Sequence, residues 1–387
     1  MFEMMLAGGK LPVAAGNIKK FGAGANGIVA LSKNGNLYSI GDLWFSGTGG
    51  TTNVWTLLSA GVEEFWVGYR QLLVKMVDGR WMFMGSNRQF PTTIGTSPST
   101  LQDVTAYMQY TAGLTIKQVV LGNYSLAVVF TNGQYAMCGS NSNGGLGLGN
   151  QTAVRGLTMR TDFTNVKKID FDWMLADTSY MLLEDGRVFG AGDSTNGTLG
   201  LASGNVTTWT QMAVAVSGSP CIDIVGGPGG WFRVVETASD YRIFGQGRQF
   251  DGSLGTGQTS ATNMTTPTLA YTVTSKAGGP PVIQVGIYSA RFIHPITQQE
   301  MYTGTNSNTQ QGGGLTWGGP VRYSFTAMPV TPVIGDYTSL RAVYSGAYKV
   351  SNNVLYGVGS NAPSTGYLPG LTTRVYEFTP LDTTLIT

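Results

Sequence analysis

Cys138 and Cys221 are the only thiols of the chain, and His294 is its only imidazole. Any Ser-His-Asp or Cys-His mechanism has to pass through His294. Its setting, Phe292-Ile293-His294-Pro295, predicts a packed strand residue instead. Neither cysteine belongs to a C-x-x-C pair, and one histidine cannot complete a Cys/His zinc set. Both thiols are expected to be small buried hydrophobes. Paired carboxylates can cleave glycosides, and Asp162, Asp170, Asp172, Asp177 and Asp185 cluster in sequence. Solvated turns and protected strand edges explain these acids more simply. Gly22-Ala23-Gly24-Ala25-Asn26-Gly27 matches G-x-G-x-x-G, yet Ile28-Val29-Ala30-Leu31 follows as a strand where a dinucleotide site needs a helix. Asp193-Ser194-Thr195-Asn196-Gly197 begins like a calcium loop but lacks the later bidentate Glu. The expectation is no catalytic residue, no cofactor and no metal.

Contact chemistry is better represented. Asn87-Arg88-Gln89-Phe90 and Arg248-Gln249-Phe250 occupy equivalent loops, and Trp44-Phe45 and Trp317 fall in corresponding ones. Aromatic residues and Arg anchor interfaces and stack on sugars. Trp44, Phe45, Arg88, Phe90, Arg248, Phe250 and Trp317 are therefore the candidate partner or glycan contacts. The competing expectation is that they pack beneath their own loops.

The elements that carry these loops follow from composition and repeats. The chain has 387 residues, 23 Lys+Arg against 21 Asp+Glu, and only 11% charged residues, where about 25% is usual. A near-neutral chain is not a binder that works by neutralising phosphates, so no nucleic-acid partner is expected. Ample apolar material excludes charge-rich disorder. Fifty-six glycines and few charges exclude a helix bundle. The N-terminal stretch lacks the cation and apolar length of a signal peptide, and no apolar run is long enough to span a bilayer as a helix. No membrane insertion is expected.

A repeat of about 55 residues runs through the sequence. Each copy is an apolar strand, a tight turn, a second strand, then Gly and a loop rich in Gly, Asn and Ser. The anchors are Gly41, Gly85, Gly139, Gly192, Gly247, Gly304 and Gly359. Asn34-Gly35, Asp78-Gly79, Asn132-Gly133 and Asp185-Gly186 precede four of them, the pairs favoured in type I′ hairpins. Asp240-Tyr241 and Thr297-Gln298 do not suit that turn, so copies five and six should use another. A further strand precedes each turn, at 18–21, 62–67, 116–121, 166–171, 222–225, 282–285 and 340–344. An outer strand follows each loop, with candidates at 54–58, 209–214 and 323–326. One such sheet cannot bury both faces, whereas seven arranged radially can. The expected fold is all-β: a single domain over 1–387, a seven-bladed β-propeller of four-stranded antiparallel blades. The segment 375–381 is expected to pair with the N-terminal strand at 18–21 and lock the ring.

Loops such as Gly139-Ser140-Asn141-Ser142-Asn143-Gly144-Gly145-Leu146-Gly147-Leu148-Gly149 and Gly192-Asp193-Ser194-Thr195-Asn196-Gly197-Thr198-Leu199-Gly200 resemble those of the regulator-of-chromosome-condensation family of seven-bladed propellers. The family's His after the inner strand is missing, since the chain reads Gly122-Asn123-Tyr124-Ser125 and Gly68-Tyr69-Arg70-Gln71 there. The Gly-Trp-Arg-His motif of the family's ultraviolet receptors has one poor echo, Gly230-Trp231-Phe232-Arg233. The resemblance thus implies the fold without the family's exchange activity. Low charge with abundant Gly, Ser, Thr and Asn also resembles virion proteins of tailed bacteriophages. The expectation is a non-enzymatic structural or interaction protein of the virion (tail, collar, decoration or fibre-associated) with other virion proteins as partners. The alternatives are an adhesin for a host surface glycan or receptor, and an enzyme of the exchange-factor or glycosidase kind.

Overall fold

The computed structural model describes residues 17–24, 27–42, 51–172, 177–201, 204–249, 252–259, 263–286, 288–305, 321–328, 341–343, 346–351, 354–359, 375–381 and 386. They form seven four-stranded antiparallel sheets. Each sheet uses four consecutive strands, so each is one blade: 18–59, 62–103, 116–160, 166–211, 221–273, 283–327 and 341–380. The first strands are Ile18–Ala23, Val62–Val67, Ile116–Leu121, Val166–Phe171, Cys221–Gly227, Ile283–Val285 and Arg341–Val343. They touch in that cyclic order, and the last touches the first. The sheets therefore close into a ring around the first strands, and the fold is a seven-bladed β-propeller. Helical structure among the described residues amounts to three single 3-10 turns, all in the second blade or just after it.

Burial follows from this stacking. A sheet flanked by neighbours on both faces loses the apolar-polar alternation of a half-exposed strand. The second strands Gly27–Ser32, Ser125–Phe130 and Thr178–Leu183 are buried at every position. Their side chains divide between two junctions. Ile28 and Ala30 pack with Leu355 of blade seven, while Val29 and Leu31 pack with Phe65 and Val74 of blade two. The hydrophobic core is thus a series of inter-blade cores, each shared by two sheets.

The anchor glycines Gly41, Gly85, Gly139, Gly192, Gly247 and Gly304 all have positive φ, from +99° to +141°. The turn glycines Gly35, Gly79, Gly133 and Gly186 have φ between +80° and +89°, but the Asn or Asp before each does not have positive φ, so the turns are not the expected type I′. The Gly35 amide donates to the Ser32 carbonyl and the Ser32 amide to the Asn36 carbonyl, a three-residue loop that ends in a left-handed glycine, and the other three repeat it. Blades five and six do turn differently. In blade five Thr237 and Asp240 close a shorter, two-residue loop, the Thr237 hydroxyl accepting from the Asp240 amide at 3.0 Å. In blade six the Gln298 amide donates to the His294 carbonyl at 2.9 Å, and Gln298 takes φ +56°. It is the one non-glycine with positive φ among the described residues. The outer strand of blade four is Asn205–Gln211, earlier than expected, because Asp193 pairs with Asn205 directly beyond the loop.

The ring closes differently from the expected strand sharing. Val375–Pro380 pairs with Val354–Gly359 of its own blade, and Ile18–Ala23 pairs with Gly27–Ser32. Among the described residues no ladder joins the two terminal strands. The ends meet by packing: Leu381 and Ile386 sit in one cluster with Phe21 and Ile28, and Asn17 Nδ2 donates to the Ile386 carbonyl at 3.4 Å. Each blade already owns four strands, so no sheet has a place for the opposite end.

Candidate functional site

The loops after the anchor glycines of blades two to five lie against the following blade. In blade three, Leu148 bridges Thr208 and the Gly149 amide donates to the Thr207 carbonyl at 2.7 Å. In blade four, the Trp231 indole donates to the Thr198 carbonyl at 2.7 Å. In blade five, Thr256 bridges Ser324 and the Gly257 amide reaches the Tyr323 carbonyl at 2.7 Å. In blade two, the Gln89 carbonyl accepts from the Gly156 amide at 2.8 Å. These straps cover sheet edges that would otherwise offer unpaired backbone groups.

This arrangement corrects the reading of Phe90 as a contact residue. Phe90 is fully buried and packs edge-on to Phe83 at 5.1 Å. Its amide is held by Asn87 Oδ1 at 2.9 Å, as the Leu146 amide is held by Asn141 Oδ1 at 2.8 Å. Phe90 is therefore the buried plug of its strap, in the role played by Leu146, Leu199 and Leu254. Its apolar ring is more stable beneath the loop than in water. Arg88 and Arg248 are exposed on their straps. The Arg88 carbonyl accepts from Arg155 Nη1, and the Arg248 amide donates to the Gly229 carbonyl at 2.7 Å. Trp44, Phe45, Phe250 and Trp317 lie outside the described residues.

Sequence reasoning missed a second set of inter-blade contacts around the axis. The first strands of six blades surround a channel of about 390 Å³. Lys20, Gln118 and Lys168 hold the same position on the first strands of blades one, three and four. Lys20 Nζ lies 2.8 Å from Glu64 Oε1 and donates to the Phe65 carbonyl. Gln118 brackets Ile169, donating to its carbonyl at 2.8 Å and accepting its amide at 3.0 Å. Lys168 Nζ meets Asp223 Oδ1 at 2.7 Å. The signal was the polar residue third along the first strand of blades one to five: Lys20, Glu64, Gln118, Lys168 and Asp223.

The reactive candidates have structural partners. Burial pushes the Cys138 thiol up to about 12 and Cys221 up to about 11, so neither is a ready thiolate. His294 is buried, and its Nδ1 accepts the amides of Ile296 and Thr297. Burial lowers its pKa. Asp162 accepts from the Tyr135 hydroxyl and from Arg160, each at 2.6 Å. Asp170 and Asp172 accept the Gly226 and Gly229 amides of the next blade, and Asp185 pairs with Arg187 at 2.8 Å. No group of three metal-ligating side chains occurs among the described residues.

Asp177 differs in carrying a titration near neutrality. It is 4% exposed, and burial raises its pKa from 3.8 to about 6 despite the amides of Asn143 and Ser142. The folded chain then holds a proton that the unfolded chain sheds above 3.8. Its contribution to stability is largest below that pH and falls as pH rises through 6. Replacing Asp177 with Asn should remove this loss. The stability difference between variant and wild type should grow by about 2 kcal/mol from pH 4 to pH 7 in urea titrations. A difference independent of pH would refute the assignment.

No protein-family model matches the chain, and no curated protein sequence does. Solved structures do. Human WBSCR16 superposes with a TM-score of 0.65 at 15% identity, over 85% of each chain. The fold is that of the RCC1-like propellers. Yeast RCC1 (Prp20) bound to Kap60 gives 0.67 at 14% identity, over 87% of this chain and 82% of that one. Prp20p of Saccharomyces cerevisiae by itself gives 0.66 at 14%, over 87% and 84%.

Proposed function

We propose that the chain is a non-enzymatic interaction protein, a rigid propeller that docks other proteins as a component of a tailed-bacteriophage virion. The observation that carries the docking role is the employment of its polar groups. The acids, thiols and histidine able to do chemistry are engaged in blade junctions and turns. What the ring then offers is preorganised surface, which lowers the ordering cost of association. Relatives in fold serve such a role: yeast RCC1 is bound to Kap60, and Prp20p has described binding properties to Gsp1p and histones. The virion assignment rests on low charge and on abundant Gly, Ser, Thr and Asn, and its expected partners are other virion proteins. The reading as an adhesin for host glycan or receptor loses Phe90 as an anchor, since that ring is buried.

Purified particles of the phage that encodes the chain should contain it in mass spectra, at a copy number comparable to other structural proteins. Particles without it would end the virion reading. Accelerated nucleotide release from a small GTPase, or cleavage of host polysaccharide by the pure protein, would end the non-enzymatic one.

A further inference from the structure

Arg233 stands on the second strand of blade five, facing blade four. Ala30, Val74, Val128, Met181 and Phe292 occupy the corresponding place in five other blades, three residues beyond the partner of each anchor glycine, and Lys349 occupies it in blade seven. A guanidinium thus replaces an apolar side chain in an inter-blade core. It is 3% exposed. Its Nη1 donates to the Ala213 carbonyl at 2.7 Å and its Nη2 to Gln246 Oε1 at 2.8 Å. The guanidinium lies 4.3 Å from the Trp231 ring centre. Nε has no hydrogen-bond partner. No carboxylate of the described residues pairs with this cation, and burial lowers its pKa to about 10.

The contrast with Arg291 is direct. That arginine is equally buried on the next blade, and Glu300 neutralises it at 2.7 Å. A buried ion is strongly disfavoured unless an opposite charge accompanies it. Beside Arg233 lies a cavity of about 280 Å³, which Arg233 helps to line. Its other walls are largely apolar, from Val188, Met212, Ala213, Cys221 and Val235. At its edge Val214 is 65% exposed. The rim acid Asp185 is already paired with Arg187 at 2.8 Å, so it neither neutralises Arg233 nor leaves the rim negative.

We propose that this cavity is a carboxylate-binding site, taking a carboxylate on a short apolar stem and pairing it with the Arg233 guanidinium. The stem fits the apolar walls, and the head supplies the charge that the fold omits. A planar guanidinium is suited to such a pair because it offers several donors in a fixed fork. The same chemistry comes from a free short-chain acid or from the chain end of a protein partner. The inference is independent of the virion reading and stands or falls without it.

Titration of the full-length protein tests it. Butyrate is the probe for a free acid, and butanamide its uncharged control. A pentapeptide ending in valine with a free C-terminus is the probe for a partner's chain end, with its amidated form as control. The wild type should show saturable movement of the Arg233 Nε–H resonance. Its Tm should rise by about 3 °C at a hundredfold excess over Kd. Both effects should vanish with the uncharged controls and in Arg233→Met, which restores the apolar residue type found at this place in blades one to four and six. Tighter binding of the peptide than of butyrate assigns the site to a partner, and the reverse order to a free acid. Equal responses in Arg233→Met, or no resonance shift with either probe, would overturn the proposal. The resonance is read in the unmodified protein, so the test does not depend on the variant folding.

Discussion

Replacing Gly192 with Ala is expected to abolish the folded ring. Gly192 has φ +114°, and a Cβ there would lie 2.0 Å from the Asp177 carbonyl oxygen and 2.7 Å from the Thr178 Cα. Both neighbours are backbone of the strand to which Gly192 pairs. Relief requires parting the second and third strands of blade four, which lie between two inter-blade cores. The cost should exceed about 4 kcal/mol, beyond the range of ordinary single substitutions. Gly79→Ala supplies the control. Its φ is +89° with nothing within 4 Å of the added atom, so it should cost only the left-handed backbone term of about 1–2 kcal/mol. Urea unfolding followed by circular dichroism separates the two. Equal midpoints would show that the anchor is not a steric requirement.

Glu300→Gln should destabilise the protein by about 3–5 kcal/mol, because it leaves a buried guanidinium without its counter-charge. Glu300 and Arg291 have side chains 5% and 3% exposed and meet at 2.7 Å across adjacent strands of blade six. The informative variant is the double one, Arg291→Leu with Glu300→Leu. Other blades carry Val29, Leu73, Ala127 and Phe232 where Arg291 stands, and Leu37, Trp81, Tyr135 and Ile243 where Glu300 stands. Their presence shows that the ring accepts apolar residues at both positions. The double variant should therefore be neutral or more stable than wild type in the same denaturation experiment. A loss as large as that of Glu300→Gln would mean that the pair contributes net stability.

The blade pattern was legible because it is written in local chemistry. Anchor and turn glycines are forced by backbone geometry, and their spacing survives wherever strand length does. First strands announced themselves as short apolar runs, correct to within a residue at Val62–Val67, Ile116–Leu121 and Val166–Phe171. The straps were harder to read. An Arg or Phe in a Gly-rich loop looks like a surface contact until the next blade is in place to cover it, as blade three's Leu157 joins the cluster around Phe90. Phe90 and Leu146 follow their anchors at different offsets, so sequence alignment did not equate them. The axial pairs Lys20–Glu64 and Lys168–Asp223 join residues in different repeats. Such partners are chosen by the closed ring and have no signature in either repeat alone. Arg233 was visible only as part of a weak motif echo, because burial without a counter-charge is a property of the packed junction.

Closure by packing, with each blade a complete run of consecutive strands, has a consequence for how the chain tolerates rewiring. Residues 17 and 386 are in hydrogen-bond contact, so a short linker can splice the neighbourhoods of the two termini together. A new opening between Arg160 and Val166, in the connection from blade three to blade four, cuts no strand and removes no ladder. Such a circular permutant keeps all seven sheets, and only the junction at which the chain starts and stops is changed.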